Sequence, residues 1–478
     1  MQEATSQTIL AAPNSRKILT WFLRIAGGSI AAIVTFLAFC FVINLKDVEL
    51  NPAAGELLAL SKKPVEMNSN GYIVLSAIDA DESQDVLKIG QEVTEKLTFL
   101  AHENPSRIDY FEKVKYKKVP GFTWHSFRHD NEGCKDGIDF CIKADLLNRK
   151  VLETALVQNA LLLKRYEMIQ QLPQFSEPPT ISPVLVTGNN ISLWEGSDMA
   201  VTEAVFDIAD GKIKEGIEQL QRNDLCLRRL MRQSSTLSSK TMITAMLKRQ
   251  VKTISELVEM YPQLVNSNGD ELGKMLTPLT SDELSLVPAL TDEAQYSLIR
   301  IKSIKYAEAN NFADHFFTLF YQVNATQNLM ADRWKTLIPS LNILPPEFDR
   351  VRKGLQDPGT ILNEHAYLPY LHYLYNPIGK ILFYTGFTPY DIYFAYMENV
   401  ADLDGYIRLV GLQLDIRRQG ITDDKMLAYV NGAKEPFRSP YNHQPMTWDA
   451  AHKQLQFTGS RSYRDSSGTR NVYSVKML

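Results

Sequence analysis

Residues 25–43, IAGGSIAAIVTFLAFCFVI, contain no charged side chain. As a helix rising about 1.5 Å per residue the run is roughly 28 Å long, close to the thickness of a bilayer's hydrocarbon core. Arg16, Lys17 and Arg24 precede it, and Lys46, Asp47 and Glu49 follow. The cationic excess lies on the N-terminal side, which by the positive-inside rule leaves the N-terminus in the cytoplasm and everything after about residue 46 outside it. A cleaved signal peptide is the competing reading. Its apolar core is usually shorter, about 7–15 residues, with small residues at a cleavage site close behind. Here NLKDVEL follows and offers no such site, while NPAAG at 51–55 comes late. An uncleaved signal-anchor is therefore expected: a cytoplasmic tail over 1–17, a single transmembrane helix over 18–45, and an ectodomain beyond. Gly27, Gly28 and Ser29 form no small-residue ladder for a partner helix.

The chain has 478 residues, enough for two or three domains or one large helical array. Hydrophobic residues at 45% and charged residues at 22% are ordinary for a globular protein, so a sizeable core is expected rather than disorder. A formal net charge of −4 argues against a general nucleic-acid binder. The densest basic patch, KVKYKKV at 113–119, reads as a solvated face.

Topology decides how the cysteines are read. Cys40 lies in the apolar run, while Cys134, Cys141 and Cys226 lie on the side where disulfides form and persist. HSFRHDNEGCKDGIDFC, residues 125–141, offers two histidines and two cysteines, but their order and spacing match no usual zinc finger. Nor is the pair a C-x-x-C redox motif. A structural disulfide between Cys134 and Cys141 is the favoured reading over free thiols or a metal site. A straight helix would hold the two Cα atoms about 10.5 Å apart, beyond the roughly 7 Å a disulfide bridges, so Gly133 and Gly137 should bend the chain.

The periodicity predicts a mainly α protein: the transmembrane helix, an α-helical array of hairpins with a TPR-like character but no fixed repeat, and a small C-terminal antiparallel β meander. GYIVLSAI at 71–78 reads as a short strand or buried run. A long helix is expected over 144–172, with Leu152, Leu156, Ala160, Leu163, Tyr166 and Ile169 as its buried stripe. PQFSEPPTISP at 173–183 reads as a linker. Amphipathic helices follow from Ser192 to about Pro262, with Ile213, Ile217 and Leu220 on one face and Ile243, Leu247, Val251, Ile254 and Val258 on another, and further helices over 281–310, 311–336 and 396–419. Trp448, Leu455, Phe457, Tyr473 and Val475 supply the meander's buried face. The ectodomain thus divides into parts 46–183, 184–345, 346–436 and 437–478.

NGYIVLSAIDA at 70–80, LLLKRYEMI at 161–169, TLSSKTMITAMLKRQ at 236–250 and PYNHQPMTWD at 440–449 together resemble blocks of a family of single-pass envelope proteins of Gram-negative bacteria. The resemblance implies an inner-membrane anchor and a periplasmic helical domain. It carries no catalytic residue over.

Signatures of the common catalysts are missing: no G-x-S-x-G, S-x-x-K, H-E-x-x-H or Walker A sequence occurs. WHSFRHD at 124–130 could build an acid–base site from Trp124, His125, His129 and Asp130, although surface polarity is the blander account. Glu364 and His365 are sequence neighbours and would point apart on a helix. NIS at 190–192 and NAT at 324–326 match the glycosylation sequon, which matters only in an ER lumen. No cofactor or metal is expected.

Residues 367–396 hold eleven of the chain's 42 Tyr and Phe residues, with Lys380 and Asp391 the only full charges. Pro377, Gly379, Gly386 and Pro389 interrupt any second span. The segment is expected to be core built from two short helical pieces with a turn at about NPIG. Its margin, centred on Tyr375, Tyr384 and Tyr390, together with Trp124 and His125, is the candidate binding surface. The favoured function is a non-enzymatic binding or scaffold protein with an envelope protein partner; a periplasmic hydrolase with an atypical site is the alternative.

Overall fold

The computed structural model describes residues 15–59, 66–103, 115–124, 141–178, 189–306, 318–355, 373–386, 389–460 and 471–477. Helix α1 (Ser15–Ile43) is a single uninterrupted helix. From Leu19 to Ile43 it has a mean hydropathy of 2.3, is long enough to cross a membrane, and is not buried against the rest of the chain. A short helix α2 (Pro52–Ala59) follows closely.

Helix α3 (Gly71–Ser76) occupies the run read as a short strand or buried run: it is buried, and it is helical. All six residues are buried, so the run shows no alternation or amphipathic period that would tell a helix from a strand. Asn70 decides the matter locally: its side-chain oxygen accepts from Tyr72 N and starts the helix. α4 (Val86–Glu103) packs on it.

The expected long helix is three: α5 (Cys141–Leu147), α6 (Arg149–Gln158) and α7 (Ala160–Gln171). The breaks fall at Asn148 and Asn159, whose side-chain amides each bond back to the carbonyl four residues earlier. Asn159 Oδ1 also accepts from Thr123 N at 3.0 Å, so the second break is fixed by a distant loop. The start of the expected linker is packed: Phe175 is buried, and the buried Glu177 accepts from Ser235 N and from the hydroxyls of Ser235 and Ser239.

α8 (Asn190–Ala209) and α9 (Ile213–Gln233) form a hairpin turned at Gly211, whose φ of 82° is the left-handed region glycine enters freely. α10 (Leu237–Met260) packs on both. Its predicted stripe, Ile243, Leu247, Val251, Ile254 and Val258, is wholly buried. α11 (Pro262–Met275), the short α12 (Ser281–Leu284), α13 (Val287–Tyr306), α14 (Val323–Ser340) and α15 (Phe348–Gly354) continue the array.

α16 (Pro377–Gly386) packs on α14, and α17 (Tyr390–Arg418) runs through the centre of the body against α10, α11 and the C-terminal sheet. From Val400 to Leu414 every residue of α17 is buried except the half-buried Arg408, so the two carboxylates there need partners. Asp402 accepts from Tyr441 Oη and Ser460 N, and Asp404 from Leu279 N and Arg408 Nε. After α18 (Asp423–Gly432), strands β1 (Thr447–Asp449), β2 (Gln454–Thr458) and β3 (Val472–Lys476) form the antiparallel sheet β1-β2-β3. Leu455 faces Val475 and Phe457 faces Tyr473, and all four are buried, as their alternation requires; Trp448 is half-buried. One continuous hydrophobic cluster runs from Ala53 to Met477.

Candidate functional site at the end of the apolar helix

Directly after Ile43 the chain leaves α1 through Asn44, which is 4% exposed. An amide in such a place must find partners for both its ends. Asn44 Nδ2 donates to Cys40 O at 2.8 Å and to Leu374 O at 2.6 Å, while Oδ1 accepts from Asn376 N at 2.8 Å. The Asn44 carbonyl accepts from Gln322 Nε2, which also donates to Leu319 O. Asn376, fully buried, accepts from Gln322 N and Gly379 N and donates to Thr326 Oγ1. Three amides from three distant stretches of chain thus satisfy one another in one knot. Asn376 holds a φ of 52°, a left-handed conformation that asparagine tolerates better than most side chains. Gly379 is forced by space: a Cβ there would stand 1.9 Å from Thr326 Oγ1.

The next residues are bound as closely. Helix α14 begins at Gln322, which supplies no side-chain cap. Asp47 supplies it from elsewhere: Oδ2 accepts from Asn324 N at 2.7 Å and Oδ1 from Ala325 N at 3.1 Å. A carboxylate at this end also meets the positive end of the helix dipole. Along one face of α14, Asn324 Nδ2 donates to Val48 O and Asn328 Nδ2 to Glu49 O, each at 2.8 Å. Asn51 N returns a bond to Asn328 Oδ1, and Asn51 Nδ2 reaches Asp332 Oδ1. Residues 324, 328 and 332 are four apart, so they share that face. Asn51 Oδ1 then accepts from Ala54 N, inside the first turn of α2, whose Ala53 and Ala54 are buried. No free tether separates α1 from the body.

The predicted binding residues divide here. Tyr375 meets the outgoing chain: its Oη accepts from Val48 N at 3.2 Å and stands 3.5 Å from Asp47 Oδ1. Burial first, and Asp47 second, push its hydroxyl pKa up. Tyr384 is half-buried, tilted against Tyr373 with ring centroids 6.4 Å apart and edge-on to Phe383 at 5.1 Å. Tyr390 is a correction. It is buried, with the Arg333 guanidinium 4.2 Å over its ring, and belongs to the core. So does Trp124, which is 1% exposed and donates through Nε1 to Asp198 at 2.9 Å, so it offers no binding surface. His125, His129, Asp130, Glu364, His365 and Cys134 lie outside the described residues, as does the side chain of Cys141. The described residues contain no disulfide, and Cys40 and Cys226 are free.

No protein-family model, curated protein or solved structure matches the chain.

Among the described residues, groups with ordinary catalytic chemistry lie elsewhere in the body. Cys226 is buried beside Tyr166, and burial pushes its thiol up to about 11, so it is no thiolate near neutrality. A cleft of about 360 Å³ is lined by Asp415, Tyr429, Lys434, Glu435 and Phe437, with the Tyr429 hydroxyl donating to Asp415. Glu435 also pairs with His443 Nδ1 at 2.8 Å, and Asp449 with His452 Nδ1 at 2.7 Å, but both imidazoles are exposed. Among the described residues no group of three His, Cys, Asp or Glu side chains could hold a metal ion. The amide knot was not anticipated from sequence, because Asn44 lies 278 residues from Gln322 and 332 from Asn376. The available signals were local: an asparagine just after the apolar run, and Asn324 and Asn328 spaced four apart.

Proposed function

We propose that this is an inner-membrane protein of the bacterial envelope, crossing the bilayer once through residues 19–43, with its N-terminus cytoplasmic and its helical body periplasmic. In this reading it is a non-enzymatic binding or scaffold protein. The supporting observation is the residue-by-residue binding of Asn44, Asp47, Val48, Glu49 and Asn51 to α14 and to the turn before α16. A body on a flexible linker samples many heights and orientations, which suits action on a diffusing substrate. A body bound at each step of the exit holds one height and one orientation above the span, which suits engagement of another envelope protein fixed to the same membrane. Affinity purification of the full chain from solubilised membranes tests this. An envelope protein should co-purify at fixed stoichiometry with wild type and fall several-fold in yield with Asn44→Ala and Asp47→Ala together. Wild type that purifies without any partner overturns the scaffold reading.

A further inference from the structure

We propose that α16, with Leu319 and the exposed Leu45, Val48 and Leu50, is an apolar foot that rests in the headgroup–acyl boundary of the bilayer crossed by α1. The inference rests on the reading of α1 as a membrane span.

The argument begins at the amide knot. Asn44 is the first residue after the apolar helix, and its side chain holds both Leu374 O and Asn376 N. Gln322 ties the same residue to Leu319 O, and Ile378 N donates to Phe320 O at 3.3 Å. Residues 319–322 and 374–378 therefore sit at the level where the span ends. Ile381 is five residues beyond Asn376, so along a helix it lies at most about 7.5 Å farther on. The interfacial layer on each side of a bilayer is roughly 5–7 Å deep. Even an α16 pointing straight out of the membrane would keep Ile381 close to that layer, and any tilt brings it within.

What α16 presents there is apolar. Its sequence, PIGKILFYTG, has one charge, and Ile381 is 49% exposed. Leu319 is 42% exposed, and Leu45, Val48 and Leu50 on the outgoing chain are exposed too. A group of exposed apolar side chains beside the end of the span is unfavourable in water and marks an interaction site. Its continuity with the span selects the occupant, since the lipid is already present at that height. The remaining side chains fit the same boundary. Tyr373, Tyr375 and Tyr384 are half-buried amphipathic rings of the type enriched at membrane interfaces. Lys380 is half-buried, and desolvation pushes its amine down; a lysine stem can lie along apolar surface while its amine reaches water.

The test uses the full chain in nanodiscs of phosphatidylethanolamine and phosphatidylglycerol. Photoreactive benzoylphenylalanine replaces Ile381, Leu319, Leu225 or Val34 one at a time, and adducts are read by intact mass. Leu225, exposed on α9, is the control outside the foot, and Val34 the control inside the span. Lipid adducts at 381 and 319, at yields several-fold above 225, are expected. Adducts to a second protein chain at 381, or lipid adducts no more frequent than at 225, overturn the foot while Val34 still labels lipid. Failure of Val34 to label lipid overturns the span reading itself, and the foot with it.

Discussion

Asp47 caps the first turn of α14: its carboxylate accepts from Asn324 N at 2.7 Å, across 277 residues of chain. The cap joins the segment leaving α1 to the first turn of α14, so its loss loosens both. Asp47→Ala should cost about 1–2 kcal/mol, the usual range for a lost cap with a charge–dipole contribution. Asp47→Asn keeps an acceptor oxygen and should cost about 0.5 kcal/mol. Denaturation midpoints of the detergent-solubilised chain measure the difference; no loss in either variant would show that the side-chain oxygens do not act as a cap.

The amide knot should behave differently from the cap, because it is fully buried. Asn44→Ala strands the N–H of Asn376 and removes a partner from Leu374 O, each a group whose unsatisfied burial costs about 1–3 kcal/mol. The effect should be local. Hydrogen exchange at Asn376 and Ile378 should accelerate at least tenfold, while the core of α10 keeps its wild-type protection. Uniform acceleration across α10 and α17 would mean that the knot is no separate unit of stability.

Two tyrosines six residues apart separate core from margin. Tyr390 is buried under Arg333, so Tyr390→Ala should cost about 3–5 kcal/mol. Tyr384 is half-buried against Tyr373 and Phe383, and Tyr384→Ala should cost roughly half as much. Thermal melting of the two variants ranks them. A Tyr384 variant that melts as low as the Tyr390 variant would place both rings in the core.

That contrast marks how far sequence reasoning reached. It found the apolar helix, the stripe of α10 and the paired Leu455–Val475 and Phe457–Tyr473 faces, because each follows from a local period. It placed the turn of the aromatic segment at Asn376, with α16 opening at Pro377; the piece expected before the turn falls mostly outside the described residues, and the helix expected over 396–419 begins earlier, at Tyr390. Gly71–Ser76 was ambiguous because burial on all sides erases the period. The break at Asn159 depends on Thr123 N, and the knot on partners far along the chain, and no local pattern encodes either.

Burial gives one carboxylate a pH signature. Asp224 sits on α9 facing Arg228 and Glu283, and desolvation raises its pKa from 3.8 to about 6. A raised folded pKa means that the native state holds the proton more tightly than the unfolded chain. This contribution is complete below about pH 3.8 and is lost as pH rises through about 6. Asp224→Asn cannot titrate. Wild-type stability minus variant stability should therefore fall by on the order of 2 kcal/mol between pH 4 and pH 7. Denaturant melts of both proteins at the two pH values supply the measurement. A difference that grows with pH would show that pairing with Arg228 outweighs desolvation.

The cysteines connect location with covalent structure. If the body is periplasmic, Cys134 and Cys141 should be oxidised to each other, since disulfides persist in that compartment. Closing a loop of that size contributes roughly 2.5 kcal/mol in the chain-entropy model, so the bond should survive purification without reductant. Cys40 and Cys226 are free thiols, and Cys226 is 1% exposed with its pKa pushed up to about 11. Thiol titration of protein isolated without reductant should thus find two reactive sulfurs after denaturation and four after reduction. In the native state Cys226 should stay unlabelled, because it is neither accessible nor a thiolate near neutral pH. Four thiols before reduction would remove the disulfide and count against a periplasmic body. Rapid native labelling of Cys226 would instead show that the interior around Tyr166 opens far more readily than its packing implies.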